Sequence, residues 1–249
     1  MSGHNRWTKI KHKKEAQGAA KGKLFTKLIK EITVAARMGG GDPAGNARLR
    51  AAIDAAREAN MPQDNITRAV KKGTGELEGV SYEEATYEGY GPGGVALIVE
   101  CLTDNQTRTA GDVRTCFAKG GGHLAAEGAV AWNFERCGVI EVKAGPSEDQ
   151  VVEAAIDGGA EDVKDHGADG FEVRTHINDL HAVVEALEKR KYKLGQRRIT
   201  FVPRETVHLA DPDKARSLLR LVGELEELED VQHVHANYEI EDALLEQLV

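Results

Sequence analysis

Residues 138–203 alternate strand-like and helix-like apolar patterns in an order that few folds accommodate. Ser147 is typical of a helix N-cap, and Gln150 at the third helical position completes a capping box. A β-α-β-β-α-β succession in so short a stretch is the ferredoxin-like pattern, which predicts an α+β domain over residues 137–204. The six predicted elements are strand 138–143, helix 147–156, strand 161–164, strand 170–175, helix 178–189 and strand 197–203.

The segments on either side of this stretch also alternate strands and helices, but neither is a complete module alone. Joined, they form a second split β-α-β module, which predicts a discontinuous domain over residues 76–136 and 205–249 with residues 137–204 inserted in it. The predicted elements are strands 82–90 and 95–103, helix 107–119, strand 129–135, strand 206–209, helix 212–228 and strand 231–240.

Residues 23–75 show a helical period. Leu24, Leu28 and Ile32 recur at i, i+4 spacing, and the pattern ends at the Gly-rich run 39–43. Two further helices are predicted over residues 44–59 and 62–72, with Gly73 as the residue that ends the last one. The predicted fold class is therefore α+β: an N-terminal three-helix bundle followed by two ferredoxin-like α+β modules, one inserted in the other.

The charge is unevenly distributed along the chain. Residues 1–75 contain 10 Lys and 6 Arg against 3 Asp and 3 Glu, a net charge of +10, whereas the other residues bring the whole chain to −8. A net-acidic protein would ordinarily be excluded as a nucleic-acid binder, but the basic third has the cation excess of one. The acidic run 224–230 at the other end is interpreted as the solvated face of an amphipathic helix. A second hypothesis is that it repels polyanions and restricts binding to the basic third.

Residues 1–22 are rich in Lys, Gly and Ala and lack apolar periodicity, which predicts a basic arm that orders on a partner. The arm and bundle are predicted to neutralise phosphates, with Trp7 available to stack on a base. A solubilising tail is the alternative interpretation. The predicted nucleic-acid-binding residues are Arg6, Trp7, Lys9, Lys11, His12, Lys13, Lys14, Lys21, Lys23, Lys27, Lys30, Arg37, Arg48 and Arg50; Arg57, Arg68, Lys71 and Lys72 are predicted to extend the same surface.

Motifs for catalysis, metals and cofactors are weak. Gly89–Gly94 matches G-x-G-x-x-G, but a strand follows it rather than a helix, so a hairpin loop is predicted. His233 and His235 share one face of a predicted strand with no carboxylate or thiol nearby in sequence to complete a zinc site. No nucleophile motif is found, and the cysteines lie in apolar patterns where thiols are usually inert. We expect no enzyme activity, no metal and no cofactor.

Composition points to a reducing cytoplasm. The three cysteines, Cys101, Cys116 and Cys137, are odd in number and contain no Cys-x-x-Cys pair. No apolar run approaches the length that spans a bilayer, and the first residues lack a signal-peptide pattern. We therefore expect neither membrane nor small-molecule partners, and no coiled-coil heptad indicates an oligomer.

The chain resembles the YebC/PmpR family along its whole length. The similarity is densest through residue 105 and is carried by Gly3-His4-Asn5-Arg6-Trp7, Ile10-Lys11-His12-Lys13-Lys14, the run from Lys23 to Ile32, Gly39-Gly40-Gly41-Asp42-Pro43, the run from Arg48 to Ile53, Asn60-Met61-Pro62, the run from Glu88 to Val95 and Glu100-Cys101-Leu102-Thr103-Asp104-Asn105. Residues 121–132 depart from the family, because Ala and His replace a more polar segment.

This resemblance implies three domains and a role in the regulation of gene expression. Bacterial relatives are described as DNA-binding transcriptional regulators, and the family also contains ribosome-associated translation factors. Two partners therefore remain open for the basic third: duplex DNA, in a transcriptional regulator, or ribosomal RNA, in a translation factor that relieves stalling. The family implies no catalytic residues.

Overall fold

The computed structural model describes residues 19–248. These residues form two compact units: residues 133–204, and a larger unit that contains residues 19–132 and 205–248. The division into an arm, a bundle and two α+β domains remains a prediction, whereas the α+β fold class is confirmed by the elements and sheets that follow.

Three helices open the larger unit: α1 (Ala19–Gly39), α2 (Ala47–Glu58) and α3 (Gln63–Gly73). Their apolar faces share one buried cluster that includes Ile32, Leu49 and Ile66. The helical period of the first helix predicted the apolar position of Ile32. The helix predicted from Leu24 begins five residues earlier, because alanines and lysines favour helix strongly enough to carry it through Gly22. Leu24 itself is exposed and lies outside the buried stripe.

The α+β part of the larger unit contains β1 (Glu83–Tyr90), β2 (Ala96–Thr103), α4 (Gln106–Lys119) and β3 (His123–Leu124). After the inserted unit, the chain forms β8 (Val207–His208), α7 (Pro212–Glu226), β9 (Val231–Ala236), β10 (Tyr238–Glu239) and α8 (Asp242–Leu248), numbered here in order along the whole chain. The main sheet has the order β3-β1-β2-β9 and is antiparallel throughout. Its core side chains pack with α4 and α7, for example Val99, Phe117 and Leu221.

Asn237 explains why the predicted strand 231–240 is two strands. Its side-chain oxygen accepts from the Ala96 N–H at 2.8 Å, and its amide donates to the Glu205 carbonyl at 3.0 Å. Its own carbonyl accepts from the Val207 N–H at 2.7 Å. The chain therefore leaves the main sheet at Asn237, and β10 pairs in parallel with β8 instead.

The predicted strand 129–135 is wrong. Residues 131–133 form a 3₁₀ turn, and the next strand begins at Phe134 and belongs to the other unit. The third strand of the main sheet is β3, which pairs with Gly89 and Tyr90. The C-terminal helix α8 is an element that the sequence patterns missed.

The unit of residues 133–204 contains β4 (Phe134–Val142), α5 (Glu148–Asp157), β5 (Ala160–Asp165), β6 (Phe171–Thr175), α6 (Leu180–Lys189) and β7 (Leu194–Pro203). Its sheet has the order β5-β6-β4-β7, with every neighbour antiparallel. This arrangement is the ferredoxin-like one that the sequence predicted. The predicted capping box of Ser147 and Gln150 is also present at the start of α5.

Candidate nucleic-acid interface

Three lysines of α1 face the acidic segment, Glu224–Asp230, which contains the end of α7 and the residues that follow it. Lys23 pairs with the Glu227 carboxylate. Lys27 donates to the Glu226 carbonyl at 2.8 Å. Positions 23, 27 and 30 follow one face of a helix, since residues three and four apart are neighbours. These three lysines form a stripe along α1, and all of them contact the acidic segment.

Lys30 is the buried end of this stripe, and the residue is only 3% exposed. Its ammonium lies 2.8 Å from Asp230 Oδ1 and 3.2 Å from the Glu229 carbonyl oxygen. Lys30 was predicted as one of the nucleic-acid-binding residues on the basic surface, but its burial contradicts an exposed position there. An ammonium this deep is retained because the carboxylate compensates its loss of hydration.

Asp230 is held by four donors. Oδ1 accepts from Lys30, and Oδ2 accepts from Arg108 and Thr109, each at 2.7 Å, and from Thr103 at 3.3 Å. Burial alone would raise the pKa of this carboxyl, but the hydrogen bonds from Arg108, Lys30 and Thr109 lower the pKa to about 2. Asp230 therefore connects α1, α4 and the segment before β9 through one charge.

Arg37 and Arg48 are also engaged within the larger unit. Arg37 donates to the Ser81 hydroxyl and the Tyr82 carbonyl. Arg48 donates to both oxygens of Glu31, at 2.7 and 3.1 Å, and also pairs with Glu84. These two predicted phosphate contacts therefore hold the bundle and the start of β1 in place.

A different set of cations is exposed. Arg68, Lys71 and Lys72 occupy i, i+3 and i+4 on α3, so they form one patch at the end of that helix. Within the part of the chain that the structure describes, no carboxylate lies within 4.0 Å of these three side chains or of Arg50 on α2. Lys21 lies over the Phe25 ring, 5.6 Å from its centroid. We call Arg68, Lys71 and Lys72 the α3 patch.

The remaining predicted contacts lie outside the described residues, and their role stays a prediction. They are Arg6, Trp7, Lys9, Lys11, His12, Lys13 and Lys14.

Of the two histidines of β9, His235 contacts a carboxylate from the neighbouring strand, β2. His235 Nε2 lies 2.7 Å from Glu100 Oε2, and the His233 ring centroid is 6.1 Å from that of His235. Glu100 was missed in the sequence because it is far away in the chain: the strand register places it opposite His233, and it reaches His235 diagonally. Over residues 19–248, no three His, Cys, Asp or Glu side chains converge in a way that could hold a metal ion.

The three cysteines are reduced and buried. Burial raises the pKa of Cys101 to about 12 and the pKa values of Cys116 and Cys137 to about 11. Thiols with such pKa values are almost entirely protonated near neutral pH and are poor nucleophiles. Among the described helices, none is long and apolar enough to cross a membrane.

Glu88 shapes the loop that replaces the predicted strand 129–135. Its buried carboxylate accepts the N–H groups of Gly128, Val130 and Ala131 at 2.7–2.9 Å. Burial opposes ionisation, yet these three hydrogen bonds lower the pKa of Glu88 below its ordinary value. The fixed loop leaves Trp132 63% exposed.

Comparison with known proteins identifies the family. Residues 5–76 match the model described as the TACO1/YebC protein N-terminal domain, and residues 82–238 match that of the TACO1/YebC second and third domain. A "probable transcriptional regulatory protein" of Myxococcus xanthus is 63% identical over 249 residues, covering 100% of both chains. A protein of the same description from Geobacter sulfurreducens is 51% identical, again over 100% of both chains.

A solved structure has the same fold. The crystal structure of a conserved hypothetical protein from Aquifex aeolicus is 49% identical, covers 92% of this chain and 95% of its own, and superposes with a TM-score of 0.82. From these matches over its full length, the chain belongs to the TACO1/YebC family.

Proposed function

We propose that this chain is a cytoplasmic regulator of gene expression that binds duplex DNA through its basic N-terminal third. The names of its relatives support a role in transcriptional regulation. The observation that carries the proposal is the α3 patch, because Arg68, Lys71 and Lys72 are exposed and have no carboxylate within 4.0 Å among the described residues.

Cations without a protein partner are the ones available to phosphate. Each phosphate contact releases condensed counterions from the duplex, so such binding weakens steeply as salt rises. In this proposal the α3 patch and Arg50 act together with the predicted contacts Lys9, Lys11, Lys13 and Lys14. Arg6 and Trp7 would touch bases or backbone.

Binding rather than catalysis is the proposed mode of action. The raised pKa values of the cysteines support this, since they leave little thiolate for chemistry. The three cysteines, free and buried, fit a reducing cytoplasm. We propose no cofactor.

The test is a titration of a labelled random-sequence duplex at several salt concentrations. The variant R68Q/K71Q/K72Q should bind more weakly, and the slope of log affinity against log salt should flatten by about 0.9 for each phosphate that is no longer neutralised. The matched control K164Q/K189Q/K193Q removes three exposed lysines from the other unit and should leave both quantities near wild type. A triple α3 variant with an unchanged slope would refute the patch as a contact surface.

A competition experiment separates DNA from the ribosome as the partner. The same protein–duplex complex is challenged with purified ribosomes at near-physiological salt. Duplex that stays bound supports the proposal. If ribosomes at low concentration strip the protein from the duplex, the ribosome-associated translation factor replaces it.

A further inference from the structure

We propose that the acidic segment, Glu224–Asp230, is an intramolecular competitor for the lysines of α1, so that nucleic acid must displace it to gain the outermost of them. This inference rests on the proposed function and adds a determinant of its affinity. The competitor acts at Lys23 and Lys27, whereas Lys30 stays in its buried pair.

The geometry of α1 places all three lysines against the same segment. Lys23, Lys27 and Lys30 form a single stripe, and each of them meets the acidic segment. Lys27 binds a backbone carbonyl at the C-terminal end of α7, where the helix dipole concentrates partial negative charge. The segment thus offers the stripe a carboxylate and a helix terminus, which are the same kind of anionic partner as a row of phosphates.

Burial decreases along the stripe from Lys30 to Lys23. The side chains of Lys30 and Asp230 are 4% and 8% exposed, so this pair fixes the position of α1. The side chains of Lys23 and Glu227 are 59% and 52% exposed. Exposed ion pairs contribute little to stability and are screened by salt, so Lys23 exchanges its partner easily.

Two carboxylates of the acidic segment lie largely in solvent. The Glu229 side chain is 81% exposed and lies 3.9 Å from the Lys30 ammonium, which Asp230 already neutralises. Glu227 and Glu229 therefore add negative charge beside the stripe without filling the core. Their effect falls on any polyanion that approaches Lys23.

The experiment measures duplex affinity and its salt slope for E227Q/E229Q in the full chain. Releasing one lysine should strengthen binding by up to roughly eightfold at 0.1 M salt and steepen the slope by about 0.9. The control E161Q/D162N removes two exposed charges from the other unit. Neither residue forms an ion pair with any other described residue. If the control gains as much duplex affinity as E227Q/E229Q, the gain is a general effect of charge and the proposed competition is wrong.

A double-mutant cycle with Lys23 tests the route of the effect. In a K23Q background, E227Q should strengthen binding less than it does with Lys23 present, since the Lys23–Glu227 pair is already absent. An equal gain with and without Lys23 would overturn the competitor.

The two proposals fail in different ways. If wild-type protein does not bind duplex, the proposed function is wrong, and so is the proposed competition. Wild-type protein that binds duplex with an unchanged affinity in E227Q/E229Q overturns the competitor alone.

Discussion

Asp230 makes more buried polar contacts within the larger unit than any pattern in the sequence predicts. In the sequence it ends an acidic run and looks like one more solvated charge. In the structure it is 6% exposed and accepts from Lys30, Arg108 and two threonines. The difference arises because burial of a charge depends on partners from distant parts of the chain, which charge counting does not reveal.

The variant D230N should destabilise the protein by about 3–5 kcal/mol, because it leaves the Lys30 ammonium buried without its counter-charge. Urea unfolding at pH 7 measures this. R108Q, which removes an exposed partner of the same carboxylate, is the control and should cost much less.

The contribution of the Lys30–Asp230 pair to the free energy of unfolding should change with pH in a defined direction. The folded-state pKa of Asp230 is lowered to about 2, below the ordinary value near 3.9. Its stabilisation is therefore fully present above the unfolded-state pKa and disappears as the pH falls from about 4 towards 2. The difference in unfolding free energy between wild type and D230N should shrink over that window. A difference that stays constant down to pH 2 would contradict the ion pair.

Helix α3 shows where a sequence prediction had the right element and the wrong reason. Gly73 was predicted as the C′ residue just beyond a helix ending at Lys72, but it is the last helical residue, and Gly75 takes the left-handed conformation beyond it. A Cβ at Gly73 would lie 2.7 Å from the Ala36 Cβ and press on the Thr33 carbonyl oxygen. Gly73 is thus needed for the close approach of α1 and α3.

Two glycine-to-alanine variants should consequently differ in sign. G73A should destabilise the protein by about 1–3 kcal/mol through overpacking. G22A should be neutral or stabilise it by up to about 1 kcal/mol, because no atom of a neighbouring element lies within 4 Å of a Cβ there and alanine favours helix. Thermal unfolding of both variants checks this. Equal destabilisation by the two would indicate that helix propensity rather than packing decides.

Most helices and strands were predictable because their apolar periods match a single buried face, as in α2, α7 and the whole of 138–203. The strand at 129–135 was not, since its residues have strand-like composition but their N–H groups bind the Glu88 carboxylate. The candidate nucleic-acid interface was also only partly predictable from the sequence. Lys23, Lys27 and Lys30 were visible as cations, but their partners lie about 200 residues away in sequence.

The Glu88 loop gives an element-scale prediction. E88Q should speed amide hydrogen exchange at Gly128, Val130 and Ala131 by about tenfold or more, because hydrogen bonds to a charged acceptor contribute about 1.5–3 kcal/mol. E127Q, at an exposed position in the same loop, is the control. Exchange that is unchanged in E88Q would mean that the loop is held by other contacts.

At the scale of the whole molecule, the insertion begins and ends at neighbouring points. The Arg204 N–H donates to the Asn133 carbonyl at 2.8 Å, so the two ends of the 133–204 unit are adjacent. The unit has its own buried cluster, which includes Ile140, Val151 and Leu187. Adjacent ends and a separate core are the properties that let a domain be inserted into another, or fold by itself.

The isolated fragment 133–204 should therefore fold cooperatively into the β5-β6-β4-β7 sheet. We expect it to be only marginally stable, since a unit of this size buries about 60% of its unfolded surface. Circular dichroism and urea unfolding of the fragment measure this, with V173D, a charge placed in its core, as the unfolded control. A fragment that matches V173D and shows no cooperative transition would mean that residues 133–204 depend on the rest of the chain, and the proposed domain division would fail at this boundary.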